Sequence, residues 1–344
     1  MEDYFSQLFH GKAGGIPAKL SFPTTDSARI ALHETMWPSR IDAEGTYAAM
    51  VSHERFECAE LAFRDLDRDG VSFPDGGSKS LPLLVSADGV ARAKNGLTLD
   101  EVRALMQAWK AHAPDSVVAD IYWVRLLNAA AWHARGYGPA SQVAAEQWTQ
   151  FKLLNDAAKA RIKDASQKAK AHRLWPYPVI RVMADTGVSQ TDLEAYALES
   201  LKRFPDELEY LMGPANRLTP QWGGNPKQFE RFAQKSLAQT KAIHGNKAYA
   251  KLYMALVPPA LLSTNQHVQI EVLRSGLLEY TQLPFHAEAF NNLQTFACAV
   301  KDQLALQKAS TLWASFSQEQ RSVLSPMSAS CRAWSMQGLN DKKS

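Results

Sequence analysis

Cysteine is scarce in this chain: Cys58, Cys298 and Cys331 are the only three, odd in number and far apart. They form no Cys-x-x-Cys pair and no disulfide framework, a pattern that suits a reducing compartment. The nine histidines are scattered and give no His-x-x-x-His pair, so a structural zinc site is not expected. A Gly-x-Ser-x-Gly elbow, a P-loop and a Gly-rich dinucleotide fingerprint are all missing. The expectation is therefore no metal and no cofactor. No run approaches the ~18 apolar residues of a membrane-spanning helix. Glu2 and Asp3 stand where a secretory signal carries positive charge, with no apolar segment after them. These features predict a cytoplasmic chain without membrane insertion. A net charge of +3 is far from a nucleic-acid footprint.

What the chain does have is apolar material in helical register. Hydrophobic residues make up 46% of it and aromatics 10%, enough for a sizeable core. Period-2 alternation is nearly absent, whereas 3.6-residue stripes recur from about Asp42 onward. Thr98 with Glu101 caps one helix, Ser116 starts another that closes at Gly136, and Asn225-Pro226 with Gln228 opens a third. Gln228 should reach back to its cap. Residues 71–96, with Pro74, Gly76, Gly77, Pro82, Gly89 and Gly96, read as loop. Residues 140–173 read as one long helix, and shorter ones follow at 178–186, 189–204, 205–213, 246–256, 264–280, 285–302, 303–314 and 328–336. The predicted fold class is all-α: an irregular helical-repeat, tetratricopeptide-like stack of antiparallel helix pairs. Residues 1–38 form an irregular leader, 39–338 a single helical-repeat domain whose two lobes would meet near 174, and 339–344 a tail.

Several segments resemble a bacterial family of helical proteins, domain-of-unknown-function family 4034. They are Tyr47-Ala48-Ala49-Met50 with Glu54-Arg55-Phe56, Phe73-Pro74-Asp75-Gly76, and Ala131-Trp132-His133-Ala134-Arg135-Gly136. Leu218-Thr219-Pro220-Gln221-Trp222-Gly223-Gly224 is the most specific, followed by Phe229, Phe232 and Ala233. Asn292-Leu293, Phe296-Ala297-Cys298 and Asp302 complete the set. The resemblance spans about residues 46–316. It implies a helical-repeat fold and supplies no catalytic residues.

Four constellations merit a chemical reading. Asp65, Asp67, Asp69 and Gly70 match the first half of a calcium loop, but Gly76 stands where the bidentate Glu is required. A charged helix end is the simpler meaning. Pro220, Trp222, Gly223 and Gly224 form a structural or partner-binding turn: its amides could cradle an anion beside Lys227, or Trp222 could pack into a groove while the glycines permit close approach. His53 and Glu57 would lie one helical turn apart but lack the second histidine of a zincin. Lys159, Arg161, Lys163, Lys168, Lys170 and Arg173 cluster against one Asp164, as a solvated face or a binding surface. Of the nine tryptophans, Trp109, Trp123, Trp132 and Trp148 take core positions, while Trp175 and Trp334 fall near breaks.

Together these features favour a non-enzymatic protein-protein interaction module, with a bacterial immunity or adaptor protein binding a cognate effector or toxin as the specific version. Its partner would be another protein, held by aromatic anchors on a concave face. Two alternatives stand beside it: a hydrolase-like enzyme with a distributed site, and a nucleic-acid binder acting through residues 159–173.

Overall fold

The computed structural model describes residues 37–68, 80–282, 287–322, 324 and 331. Among them every regular element is helical, as the capped, 3.6-periodic segments require. No described helix is long and apolar enough to cross a membrane. The expected leader lies outside the described residues except for its last two, which already belong to the first helix. The expected tail, the helix at 328–336 apart from Cys331, and residues 69–79 also lie outside them. The described chain divides into two compact units, one ending at Pro214 and the other beginning at Ala215. Residue 174, the expected meeting point of two lobes, falls inside the first unit.

The first unit contains α1 (Trp37–Ser52), α2 (Phe56–Arg68), α3 (Leu81–Ala93), α4 (Leu99–His112) and α5 (Val117–Arg135). It continues with α6 (Ala145–Asp164), α7 (Gln167–Ala171), α8 (Pro176–Asp185) and α9 (Gln190–Arg203). A 3-10 turn at Leu208–Leu211 leads into the short α10 (Met212–Arg217), where the division falls. That turn and α10 replace the helix expected at 205–213.

Helix α5 is the centre of this unit. Ser116 caps it by accepting from Ala119 N at 2.9 Å, and Gly136 closes it as read from the sequence. Val118, Ala119, Ile121, Tyr122, Val124, Leu126, Leu127 and Ala129–Ala131 are all buried. A helix that is apolar on nearly every face must lie inside a core, and α5 packs against α3, α4, α6, α7 and α8. Ala119, Ala129, Ala130 and Ala131 keep its sides thin where neighbours approach. Trp109 on α4 fills the adjoining space. It is stacked 5.2 Å from Phe56 and donates to Glu60 Oε1 at 2.8 Å.

Two sequence expectations are corrected here. The supposed loop at 71–96 contains α3. Pro82 stands in its first turn, where the missing N–H would have had no partner anyway. Gly89 is a packing device: a Cβ there would lie 2.8 Å from the Ala48 Cβ. The supposed single helix at 140–173 is a 3-10 turn at Ala140–Gln142 followed by two α-helices, the second of which starts where Ser166 accepts from Ala169 N. Asp120, buried on α5, then accepts from Ser166 N at 3.3 Å and from Arg161 at 2.5 Å, and pairs with Lys110 at 3.4 Å.

The second unit is built on α11 (Pro226–His244), α12 (Lys247–Leu256), α13 (Pro259–Leu262), α14 (Ile270–Tyr280), α15 (Ala287–Val300), α16 (Gln303–Ser315) and α17 (Gln318–Ser322). Here α12 packs against α11 and α14, and α15 against α13, α14 and α16. Asn225 caps α11 as expected, accepting from Gln228 N at 3.0 Å. Gln228 answers through the Asn225 side chain at 2.8 Å, not through the cap's backbone. Glu230 gathers the hydroxyls of Tyr249 and Tyr253. The helix expected at 264–280 begins only at Ile270. Cys298 and Cys331 are joined in a disulfide, with Cα atoms 5.3 Å apart, a spacing ordinary for that bond. This corrects the reading of three unpaired thiols and removes the support that reading lent to a reducing compartment. Cys58 remains free.

Asp120 yields a test of the first unit. Burial disfavours its charge. Hydrogen bonds from Ser166 and the charges of Lys110 and Arg161 outweigh that, and its pKa lies below the usual carboxylate range. A depressed folded-state pKa contributes stability that is complete above the unfolded value of ~3.9 and is lost as pH falls through the folded value. Asp120→Asn should therefore cost about 3 kcal/mol at pH 7, the scale of a broken buried ion pair. Urea unfolding at pH 7, 5 and 3 should show the difference from the unsubstituted chain shrinking at the lowest pH.

Candidate functional site: a polar cluster beneath an aromatic platform

Four helices of the first unit bring polar side chains to one place. Arg125, Asn128 and Trp132 follow one another at i, i+3 and i+7 on α5. Tyr177, Arg181 and Asp185 do so at i, i+4 and i+8 on α8. Asp88 and Arg92 lie one turn apart on α3, and α6 supplies Asn155. Such spacings put each set on a single helix face.

Arg125 is 1% exposed and its Nη2 forms an ion pair with Asp88. Burial opposes its charge, and the adjacent Asp88 carboxylate more than compensates, so the guanidinium is held charged. Asn128 Nδ2 donates to Asn155 Oδ1 at 3.0 Å and to Asp185 Oδ2 at 2.7 Å. Trp132 Nε1 donates to that same Asp185 oxygen at 2.7 Å. Even so, desolvation pushes the Asp185 carboxyl above its usual range, against the pull of Arg181, Asn128, Trp132 and Arg125. Burial likewise raises the Tyr177 phenol.

At the C-terminal end of α5 an aromatic platform adjoins this cluster. The Arg135 guanidinium lies 5.0 Å from the Trp132 ring centre and 4.8 Å from that of Trp148. Its Nη1 donates to Gly136 O at 2.8 Å and Gly138 O at 3.2 Å, pinning the loop that carries Tyr137. The Tyr137 ring stacks on Trp132 at 6.3 Å and 13°. Phe151 meets both Trp132 and Trp148 edge-on. Gln147 secures the helix end by donating to Arg135 O at 3.1 Å. Tyr137 remains 67% exposed and Trp148 39%. Trp148 is thus a surface residue, which corrects its expected core placement. Trp109 is buried as expected, Trp123 and Trp132 are half-buried, and Trp175 is buried despite lying at a helix start.

The residues singled out in the sequence lie elsewhere. Pro220–Trp222 is a single 3-10 turn. Gly223 has φ +86° with open space where a Cβ would stand, whereas a Cβ on Gly224 would fall 2.2 Å from Leu218 O, so the close approach is made by Gly224 alone. Trp222 is 40% exposed, so it is not a buried core residue. Gly224 lies against the Leu218 backbone, and Leu218 and Thr219 are buried. The anion cradle is corrected too. The amides of Trp222 and Gly224 donate to Thr219 O, and that of Gly223 to Pro220 O, so all three are engaged within the turn. His53 sits between α1 and α2 and does not share a helix with Glu57. Asp65 and Asp67 belong to α2, where Asp67 bonds His172 at 2.9 Å. Asp69 and Gly76 lie outside the described residues. In the basic segment Arg161 stacks over Trp123 and pairs with Asp120, and Arg173 pairs with Asp67 and Glu207.

Sequence reasoning missed the Arg125 cluster because α3 was read as loop. A signal was present: Leu83, Leu84, Ala87, Val90 and Ala91 fall at helical spacing, hidden by Pro82 and Gly89. No family model matches the chain, and no curated protein and no solved structure matches it either.

The raised Asp185 carboxyl makes a stability prediction. An acid whose folded pKa is raised loses stability as pH rises from the unfolded value through the folded one. Asp185→Asn keeps an acceptor oxygen for Asn128 and Trp132 and removes the half-buried charge. Arg181 is exposed, so losing its attraction costs little. The substitution should stabilise the chain by about 1 kcal/mol at pH 7, the scale of an ordinary single substitution. The gain should vanish below about pH 4, where the unfolded carboxyl is itself protonated. Thermal melts at both pH values read the effect directly.

Proposed function

We propose that this chain is a non-enzymatic protein-interaction module, of the kind a bacterial immunity or adaptor protein represents, and that it anchors its partner on the Trp132–Arg135–Tyr137–Trp148 platform. The observation that supports this is the ordered stack itself, exposed at Tyr137 and Trp148 and backed by the half-buried Trp132 and the buried Arg135. Tryptophan, tyrosine and arginine are the residue types that dominate binding hot spots. Here the rings are held in place by Phe151, and Arg135 ties down the loop of Tyr137. A surface already ordered pays little conformational entropy on binding. The Ala131–Gly136 segment of the family resemblance builds this platform, and the resemblance to family 4034 fits a helical binding protein.

The basic segment is the weaker candidate. Arg161 and Arg173 are engaged in internal ion pairs, which leaves Lys159, Lys163 and Lys168 as its exposed cations. Contacts through solvated lysines are strongly screened by salt.

The reading is tested by affinity purification with three forms of the chain: unsubstituted, Tyr137→Ser with Trp148→Ser, and Lys163→Glu with Lys168→Glu and Lys170→Glu. Circular dichroism should confirm that all three fold. The platform variant should lose its co-purifying protein, with affinity reduced by about thirtyfold or more, since a hot-spot residue is worth ~2 kcal/mol. The charge-reversed variant should stay within about threefold, as rim charges mainly tune association rate. The opposite pattern would move the interface to residues 159–173.

A further inference from the structure

The packing of the second unit thins toward α16 and α17, and its disulfide lies there. Helix α15 is firmly held: Ala287, Phe290, Leu293, Phe296 and Ala297 are buried, and it packs against α13, α14 and α16. Helix α16 rests chiefly on α15. Of its residues only Ala305, Leu306 and Ala309 are buried, so little apolar area holds it in place. Its start is fixed, because Asp302 accepts from Ala305 N at 3.0 Å and from Arg274 at 2.9 Å. Its far end rests on ring contacts: Trp313, itself 38% exposed, and Phe316 both meet Phe290. Arg321 of α17 donates to Trp313 O and Ala314 O, each at 3.0 Å. Those bonds join the two outer helices to each other and tie neither to α15.

The Cys298–Cys331 bond spans this lightly held layer. It joins α15 to the buried Cys331 across 33 positions of sequence and so encloses α16 and α17 in a covalent loop. A cross-link restricts the opened chain more than the closed one. For a loop of that length the chain-entropy relation gives roughly 500-fold in an opening equilibrium. For a helix with so few buried side chains that is a large share of what keeps it closed. Cys298 is only half-buried, so the bond faces solvent on its α15 side, and exposed disulfides are the ones open to exchange.

We infer that this disulfide is a redox lock on α16 and α17: while it stands they stay closed on α15, and its reduction by a dithiol lets them open about Asp302, baring the side of α15 that carries Phe290. In the reduction, one sulfur of the dithiol, as its thiolate, bonds Cys298 while the Cys298–Cys331 bond breaks, and Cys331 leaves as a thiolate that takes up a proton. The second sulfur of the reductant then closes onto the first, releasing Cys298, which is protonated in turn. Two electrons and two protons pass from the dithiol to the protein, and the reductant ends as a disulfide. Cys58, on α2 in the first unit, takes no part and remains a thiol throughout. The lock belongs to the second unit and is independent of the platform reading, which concerns the first.

The test uses the full chain with dithiothreitol as the dithiol, in native buffer. Alkylation after an acid quench should count one thiol before treatment, that of Cys58, and three after it. Hydrogen exchange read by mass spectrometry should then show the amides from Leu306 to Ala314 exchanging at least tenfold faster in the reduced chain. Those of α11, α12 and α14 should change less than twofold, and reoxidation should restore the original rates. Cys331→Ser without reductant should reproduce the fast exchange, which separates loss of the bond from any effect of the reagent. Should that variant fail to fold, the reduced unsubstituted chain carries the test alone. The inference is overturned by three thiols before treatment, or by a bond that resists dithiothreitol unless the chain is denatured. Exchange in α16 that is indifferent to reduction would overturn it as well, since noncovalent contacts would then suffice. So would an equal loss of protection in α11, α12 and α14, which would make the bond a staple of the whole unit.

Discussion

A nineteen-residue helix surrounded by its neighbours imposes the main constraint on this protein. Helix α5 is apolar over most of its length, and its alanines allow α3, α4, α6, α7 and α8 to close around it. That arrangement excludes water from Asp120, Arg125 and Asn128. Asp120, Arg125 and Asn128 must then be served by side chains from other helices, since buried polar atoms without partners are costly. Asp120 is matched by Lys110, Arg161 and Ser166, and this set fixes α4, the end of α6 and the start of α7 against α5. Arg125 is matched by Asp88 on α3. The ion pairs are therefore more than surface decoration: they specify which helix ends meet on the central one.

The same constraint shapes the surface. Where α5 runs out at Gly136, its last turn emerges from the core with Trp132 and Arg135 still facing inward. Arg135 forms no ion pair among the described residues; it lies over two indole rings and donates to the carbonyls of Gly136 and Gly138. Tyr137 is left outside as the outermost ring of an ordered stack. The exposed platform and the buried Arg125 cluster are thus two ends of one helix face, linked by the Trp132 indole, which stacks outward on Tyr137 and donates inward to Asp185.

How much of this was legible in the sequence follows from which forces are local. Thr98 with Glu101, Ser116, Gly136 and Asn225 with Pro226 satisfy backbone groups within a few residues of themselves, so the helix ends they mark were read correctly. Pro82 marks a helix start and Gly89 packs against the distant Ala48, so taking every proline and glycine as a break misread both as loop. The alanine-rich stretch at 140–173 suggested one helix because propensity is blind to the Asp120 carboxylate that receives Ser166 N at the break. Trp148 and Trp222 have the composition of core residues, and only the packing around Phe151 and Gly224 shows that neither is needed inside. The Cys298–Cys331 bond joins residues too distant in the chain for spacing to pair them. The Arg125 cluster draws on four helices, one of them unrecognised, so no reading of neighbouring residues could have assembled it.

The account rests on α5 being the last part of the first unit to lose its structure. Native-state hydrogen exchange measures this directly, because amides opened only by global unfolding exchange with the full unfolding free energy, while peripheral segments open locally at lower cost. Amides from Ile121 to Ala131 should be the slowest to exchange in the first unit. Their protection should fall with urea in step with global unfolding, and amides in α7 and around Gly138 should exchange faster through local opening. Exchange of the Ile121–Ala131 amides that is faster than that of α4 or α8 would contradict the claim that a buried α5 holds this unit together.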